Sequence, residues 1–326
     1  MRVFDAHVHM WDTAVFPLPW LASVPVLAER YDVDDVCSPL ADGVICVQAG
    51  DTLLEAEWLL EQAERFPGTA AGGAGIDAIV LQYAPSASAS AGAWAGAVHP
   101  AVARSLQNGG PVAGVRIPAR GASDDLAAIP GIDALCAGLA ANGLVLELLL
   151  RPAQLRSVAR LAERHPELTI VLCHMGIGQD PIEAGWEAEL ASVAAHPFVH
   201  AKISGILSLA DDGSRPDAPG RIVRAALDTF GAERLLFGSD WPMSTRTGLD
   251  YAGVLRRIDA ELARCTDEER ARIYGETARA VYGLIEPVPA AATTLGSEQS
   301  RPRYGRRDSV AESHTTTFTQ RDGRLN

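Results

Sequence analysis

Val3-Phe4-Asp5-Ala6-His7-Val8-His9-Met10-Trp11-Asp12 opens the chain as a short apolar run that ends in two histidines two residues apart. The apolar half reads as a buried strand. Side chains alternate across a strand, so His7 and His9 project to one side and can converge on one point. Two imidazoles on one point hold a metal ion or polarise one oxygen atom of a substrate. An isolated His-x-His is as readily a pair of ordinary histidines at a strand-to-loop transition. Its weight rests on what the rest of the chain brings to it.

Downstream, apolar runs alternate with amphipathic stretches. Residues 13–25, with Pro17, Pro19, Trp20 and Pro25, form a loop too long for a mere connector and are expected to wall or cover a pocket. A short helix is expected over 33–40. Residues 43–48 are continuously apolar up to Gln48, as in a parallel strand covered on both faces. A helix follows over 52–66 with Leu53, Ala56, Leu60 and Ala63 as its stripe, and Pro67-Gly68 stops it. Residues 69–110 are the least legible. A weak strand is expected over 70–77, then a Ser/Ala/Gly-rich stretch over 86–92, then a helix containing Trp94 and His99. Further strands are expected over 112–117, 144–150, 168–173, 198–203 and 234–237. Helices are expected over 132–141, 153–164, 183–195, 221–230, 250–264 and 267–282.

Eight strands alternating with helices predict an α/β fold, a single (β/α)8 TIM barrel over residues 1–286. A doubly wound sheet would carry a glycine-rich phosphate turn after its first strand, and here that turn holds histidines. Residues 287–326 turn to Thr, Ser, Arg, Gly and Gln with almost no large apolar groups. Such a tail cannot bury enough surface to offset its ordering entropy, and it reads as disordered.

Composition narrows the partners. A formal charge of −13 argues against nucleic acid and anionic membranes, and no run approaches the ~20 apolar residues of a membrane helix. Cys37, Cys46, Cys136, Cys173 and Cys265 are odd in number and mostly set in apolar runs, as buried thiols of a cytoplasmic protein would be. A small-molecule substrate is expected, and self-association into a homo-oligomer is left open. Lys202 is the only lysine; the other 27 of the 28 basic residues are arginine. An ammonium and a guanidinium are not interchangeable, so this lysine hints at a site where arginine does not fit.

In such a barrel the strand C-termini build the active site. Those ends carry His7 and His9, Gln48, Arg116, Glu147 and Arg151, His174, Lys202 and Ser204, and Asp240. Singly, His174 reads as a satisfied buried histidine, Asp240 as a turn residue, and Arg116 as the partner of a carboxylate. Together on one rim they read as an active site.

The segments 5–12, His174-Met175-Gly176, Lys202-Ile203-Ser204-Gly205 and Gly238-Ser239-Asp240-Trp241-Pro242 resemble the amidohydrolase-related family of the amidohydrolase superfamily. Within it, the chain is most similar to the sugar-lactonase and pyrone-dicarboxylate-lactonase branch. The resemblance spans about residues 2–284. It implies a hydrolase that opens a lactone, with His7, His9, His174 and Asp240 as the catalytic group. The same four would be the ligands if one divalent ion, most naturally zinc, is bound; relatives in this branch also work without metal. The fourth strand end lacks the lysine that bridges two metals in other relatives, so a binuclear centre is not expected. Arg116 is the expected anion clamp, Lys202, Gln48 and Glu147 are secondary polar contacts, and Trp11 and Trp241 are apolar walls. Zinc-dependent decarboxylation of the aminocarboxymuconate-semialdehyde type is the alternative chemistry on the same residues. A catalytically silent binding barrel is the third reading.

Overall fold

The computed structural model describes residues 3–36, 40–68, 75–83, 99–177, 182, 184–210 and 217–284. Eight parallel strands follow one another around a sheet in sequence order. They are β1 (Val3–Val8), β2 (Ala41–Val47), β3 (Ile76–Gln82), β4 (Val112–Pro118), β5 (Val145–Leu149), β6 (Ile170–Leu172), β7 (Val199–Ile203) and β8 (Leu235–Phe237). Helices α1 (Val33–Val36), α2 (Leu53–Arg65), α3 (His99–Asn108), α4 (Ile132–Ala141), α5 (Leu155–Arg164), α6 (Trp186–Ala194), α7 (Ala218–Phe230) and α8 (Tyr251–Glu261) alternate with them. Then α9 (Asp267–Ala271) and α10 (Thr277–Val281), joined by one turn of π-helix, end the described chain. Sequence order around the sheet is the TIM-barrel connectivity expected from the alternation.

Local chemistry explains the boundaries. Thr52 starts α2 by accepting a hydrogen bond from Glu55 N, and Asp250 starts α8 by accepting one from Gly253 N. α4 ends at Asn142 and Gly143, the latter at φ 66°, the left-handed value glycine takes freely. Inside the barrel, Phe4, Ala6, Ile45, Val47, Ala78, Val80, Val145, Val171 and Leu236 pack into one apolar layer, with Ala278 and Tyr282 against it. A larger apolar shell lies between sheet and helices.

The seam between first and last strands is held by Asp5. Its Oδ1 accepts from His7 N (3.0 Å) and Ser239 N (2.9 Å), and its Oδ2 from Tyr251 OH (2.9 Å). Above it, Asp240 N donates to His7 O and His9 N to Trp241 O. A Cβ on Gly238 would come within 2.6 Å of the His7 Cβ, so only glycine lets the two strands approach this closely.

One expected element moves. The third strand is β3, Ile76–Gln82, rather than 70–77, of which 70–74 lie outside the described residues. The physical reason is that 78–81 (AIVL) form the continuous apolar run parallel strands require, and six of the seven residues of β3 are buried. The 86–92 stretch, Trp94 and the 287–326 tail fall outside the described residues. No described helix is long and apolar enough to cross a membrane.

Candidate active site

A cavity of about 230 Å³ opens at the strand C-termini, lined by His9, Trp20, Ala49, Gln82, Arg116, Pro118, Arg120, Leu149, His174, Asp240 and Met243. It is of a size for a single small ring, with one apolar wall and several donors.

At its floor, β1 and the turn after β8 bring three donor atoms together. His7 Nε2 and His9 Nε2 lie 3.3 Å apart, and each is 3.6 Å from Asp240 Oδ1. That Oδ1 is buried with no hydrogen-bond partner. His9 is anchored by donating from Nδ1 to Val47 O at 2.6 Å, and His174 Nδ1 meets Ser204 Oγ at 2.8 Å. Asp240, His174 and Met175 hold φ of 58°, 52° and 55°. Such left-handed values are uncommon outside glycine and cluster where a site demands a particular side-chain direction. Gly205 makes room for this arrangement, since a Cβ there would fall 2.6 Å from His174 Nδ1.

Charge follows from these neighbours. Burial acts to raise the Asp240 pKa, but the His174 charge, the adjacent His9 and Arg116 outweigh it and hold the carboxyl below its ordinary value. Burial, with smaller contributions from Lys202, His174, His9 and Arg116, pushes the His7 pKa well down. Burial also lowers that of His174, although Asp240 opposes it. The carboxylate is thus favoured in its charged form, while burial disfavours the charged forms of His7 and His174.

The triangle of His7 Nε2, His9 Nε2 and Asp240 Oδ1 has the spacing of donors held ~2.0–2.2 Å from one ion, and the set suits a single divalent metal. His174, expected as a fourth ligand, stands outside that triangle. A second group, His7, Glu147 and Cys173, already encloses the Lys202 ammonium and suits no cation.

Arg116 reaches the cavity and donates from Nη2 to Gln48 O (2.5 Å) and Gln82 Oε1 (2.8 Å), while its Nε is buried without a partner. The five other expected contacts do not line the cavity. Lys202 and Glu147 are fully buried one layer beneath it, 2.5 Å apart, and Tyr282 OH donates to the same Glu147 oxygen. Burial raises the Glu147 pKa, but the Lys202 charge and hydrogen bond win and lower it. Gln48 has the strand parity of Val44 and Cys46, so it points to α2. There it donates to Thr52 O and Glu55, and accepts from Gln82 N. Trp11 is buried behind the wall, its Nε1 donating to Glu29 O and its ring set edge-on to Trp20 at 5.6 Å. Trp241 is half-buried against Tyr251, outside the cavity.

Trp20, Gln82 and Arg120 are lining residues that the strand-end reading passed over. Trp20 lies in the long first loop, where the expected wall is found. Gln82 ends the misplaced third strand. Arg120 lies past β4, where spacing gives no signal.

The amidohydrolase family model matches residues 4–284. The chain is 32% identical over 308 residues to an L-fucono-1,5-lactonase of Burkholderia multivorans, spanning 88% of this chain and 97% of that protein. It is 36% identical over 177 residues to the L-fucono-1,5-lactonase of Burkholderia ambifaria, half of this chain and 57% of that one. Its fold matches the crystal structure of a Burkholderia multivorans amidohydrolase with bound zinc, at a TM-score of 0.69 and 28% identity. That match covers 87% of this chain and 99% of the other.

Proposed function

This chain belongs to the amidohydrolase family and is a hydrolase, and from that premise we propose that it opens the lactone ring of a sugar acid. The two lactonase relatives support a polyhydroxylated, six-membered cyclic ester as the substrate class. The cavity suits it: Trp20 and Met243 offer apolar surface to the ring carbons, and Gln82, Arg116 and Arg120 offer polar groups to its hydroxyls.

Asp240 is the general base. Its ionised carboxylate takes a proton from a water molecule as the water oxygen bonds to the ring carbonyl carbon. His174, together with the unpartnered Nε–H of Arg116, faces the carbonyl oxygen and stabilises the negative charge it gains. Collapse of the tetrahedral intermediate breaks the bond from that carbon to the ring oxygen. The ring oxygen recovers the proton held by Asp240, giving the open hydroxy acid. When bound by His7, His9 and Asp240, a divalent ion would supply Lewis-acid polarisation of the carbonyl.

The single observation that carries this reading is the Asp240 Oδ1 atom, buried, partnerless and aimed between two imidazoles at the cavity floor. Asp240→Asn keeps the size and removes the basicity. It is expected to keep the fold and lose at least roughly a hundredfold in kcat on L-fucono-1,5-lactone or a related aldonolactone, followed with a pH indicator. Turnover within a few-fold of wild type would remove Asp240 as the base. Failure of wild type to open any aldonolactone would remove the substrate class.

A further inference from the structure

Donor and acceptor chemistry around the two first-strand histidines fixes which way their hydrogen bonds run. Lysine has donors only. The Lys202 ammonium lies 2.5 Å from Glu147 Oε1 and 3.4 Å from His7 Nδ1. The second contact is a hydrogen bond only when His7 Nδ1 keeps its lone pair, which leaves the neutral ring's proton on Nε2. At the other end, a carbonyl only accepts. His9 therefore donates from Nδ1 to Val47 O and keeps its own lone pair on Nε2. The two Nε2 atoms face each other at 3.3 Å. Assigned independently from opposite ends, they meet as one donor and one acceptor.

We infer that Lys202 is a positioning residue that sets the His7 proton on Nε2. Lys202, His7, His9 and the Val47 carbonyl then form one hydrogen-bond chain running in a single direction. Glu147 holds the lysine end. Its Oε1 also accepts from Tyr282 OH at 2.5 Å and its Oε2 from Cys173 Sγ at 3.2 Å, while the Tyr282 ring lies 5.5 Å from the ammonium. Lys202 and Glu147 are fully buried here, and a planar guanidinium would present a different shape and donor pattern to the same partners, in keeping with a lone lysine among arginines.

The consequence concerns His7. Its Nε2 carries the N–H that faces His9, whereas a metal ligand must offer a lone pair from that same nitrogen. Lys202 therefore opposes recruitment of His7 by an ion, and metal uptake has to move the His7 proton against the lysine. This control of metal affinity is independent of which ester the enzyme opens.

The test reads the tautomer directly. Full-length protein carrying ¹⁵N-histidine is treated with chelator, and long-range ¹H–¹⁵N correlations are recorded at neutral pH. The two rings are assigned by loss of signal in His7→Gln and His9→Gln. A proton on Nε2 of His7 and on Nδ1 of His9 is expected; a proton on Nδ1 of His7 in wild type would overturn the inference. Lys202→Met combined with Glu147→Gln leaves no unpaired buried charge. In that variant the His7 proton should move to Nδ1. Zinc affinity, read by competition with a chromophoric chelator, should rise roughly tenfold or more, the scale on which outer groups tune metal ligands. Equal zinc affinity in wild type and the double variant would also overturn it. Should the double variant misfold, the wild-type tautomer still decides the matter.

Discussion

Trp20 and Trp11 touch edge to edge, yet only one of them faces the cavity. Trp20→Ala removes a wall of the substrate site. It is expected to raise KM on an aldonolactone by roughly tenfold, the range for loss of one aromatic contact with a ligand. Trp11→Phe keeps a buried aromatic ring but loses the bond to Glu29 O and part of the indole volume, so it should lower the melting temperature and leave KM within twofold. Steady-state kinetics and thermal melts on the two variants separate the roles; a larger KM change in Trp11→Phe would reverse them. The same depth problem recurs along the rim. Strand ends located His9, His174, Arg116 and Asp240, all of which line the cavity. They also nominated Lys202 and Glu147, which sit one inward position too low: Ser204 and Leu149, two residues further on, occupy the layer above. Alternation says which face a side chain takes but not which layer ends up at the surface. Arg116 overcomes its depth by length, and Lys202 meets a carboxylate before reaching the cavity.

At the scale of elements, barrel strands were legible where the apolar run is bounded by turn residues, as in β2 and β5. β3 was obscured by the small-residue stretches on either side of it, which carry no period to mark where the strand begins. Closure of the barrel was not legible at all. Asp5 looked like part of the histidine motif, but a register shift between Asp5 and Val8 turns it to Ser239 and Tyr251, away from the cavity. Asp5→Ala would orphan two buried N–H groups and a phenol, at ~1–3 kcal/mol for each group left unsatisfied. Urea denaturation should therefore show a loss of about 3 kcal/mol; a loss under about 1 kcal/mol would mean the seam is held by backbone pairing alone. On β7, burial pushes the His200 pKa from 6.5 down to about 4, with Phe198 O opposing it and Arg234 adding to it. The unfolded chain then binds a proton between pH 6.5 and 4 that the folded chain refuses, so this histidine withdraws stability as pH falls through that window. In His200→Gln the decline in melting temperature from pH 7 to pH 4.5 should be shallower than in wild type. Parallel pH profiles would show that His200 is as free to ionise as in the unfolded chain.

For the whole molecule, the family match and the described residues end together, at residue 284, and the composition beyond differs in kind. Residues 287–326 hold six arginines against four acids in a chain of net charge −13, so the body before them is more acidic than the total. Their few large apolar groups, among them Leu295, Tyr304 and Phe318, are spread too thinly to form a core. We propose that this segment contributes nothing to the barrel's stability or chemistry. All eight strands, the Asp5 seam, the histidine–aspartate floor and Tyr282 beneath Glu147 lie before it. Cutting the chain after Glu286 should then leave the melting temperature within about 2 °C, since even 1 kcal/mol shifts a domain of this size by roughly 2–4 °C. Lactone turnover should be unchanged as well. The variant also tests charge: loss of a basic segment from an acidic body would show as a salt-dependent change if the arginines lay against it, because such exposed attraction is screened within ~8 Å at physiological ionic strength. A fall of 5 °C or more at low salt that vanishes at high salt would place the tail on the barrel and overturn the proposal.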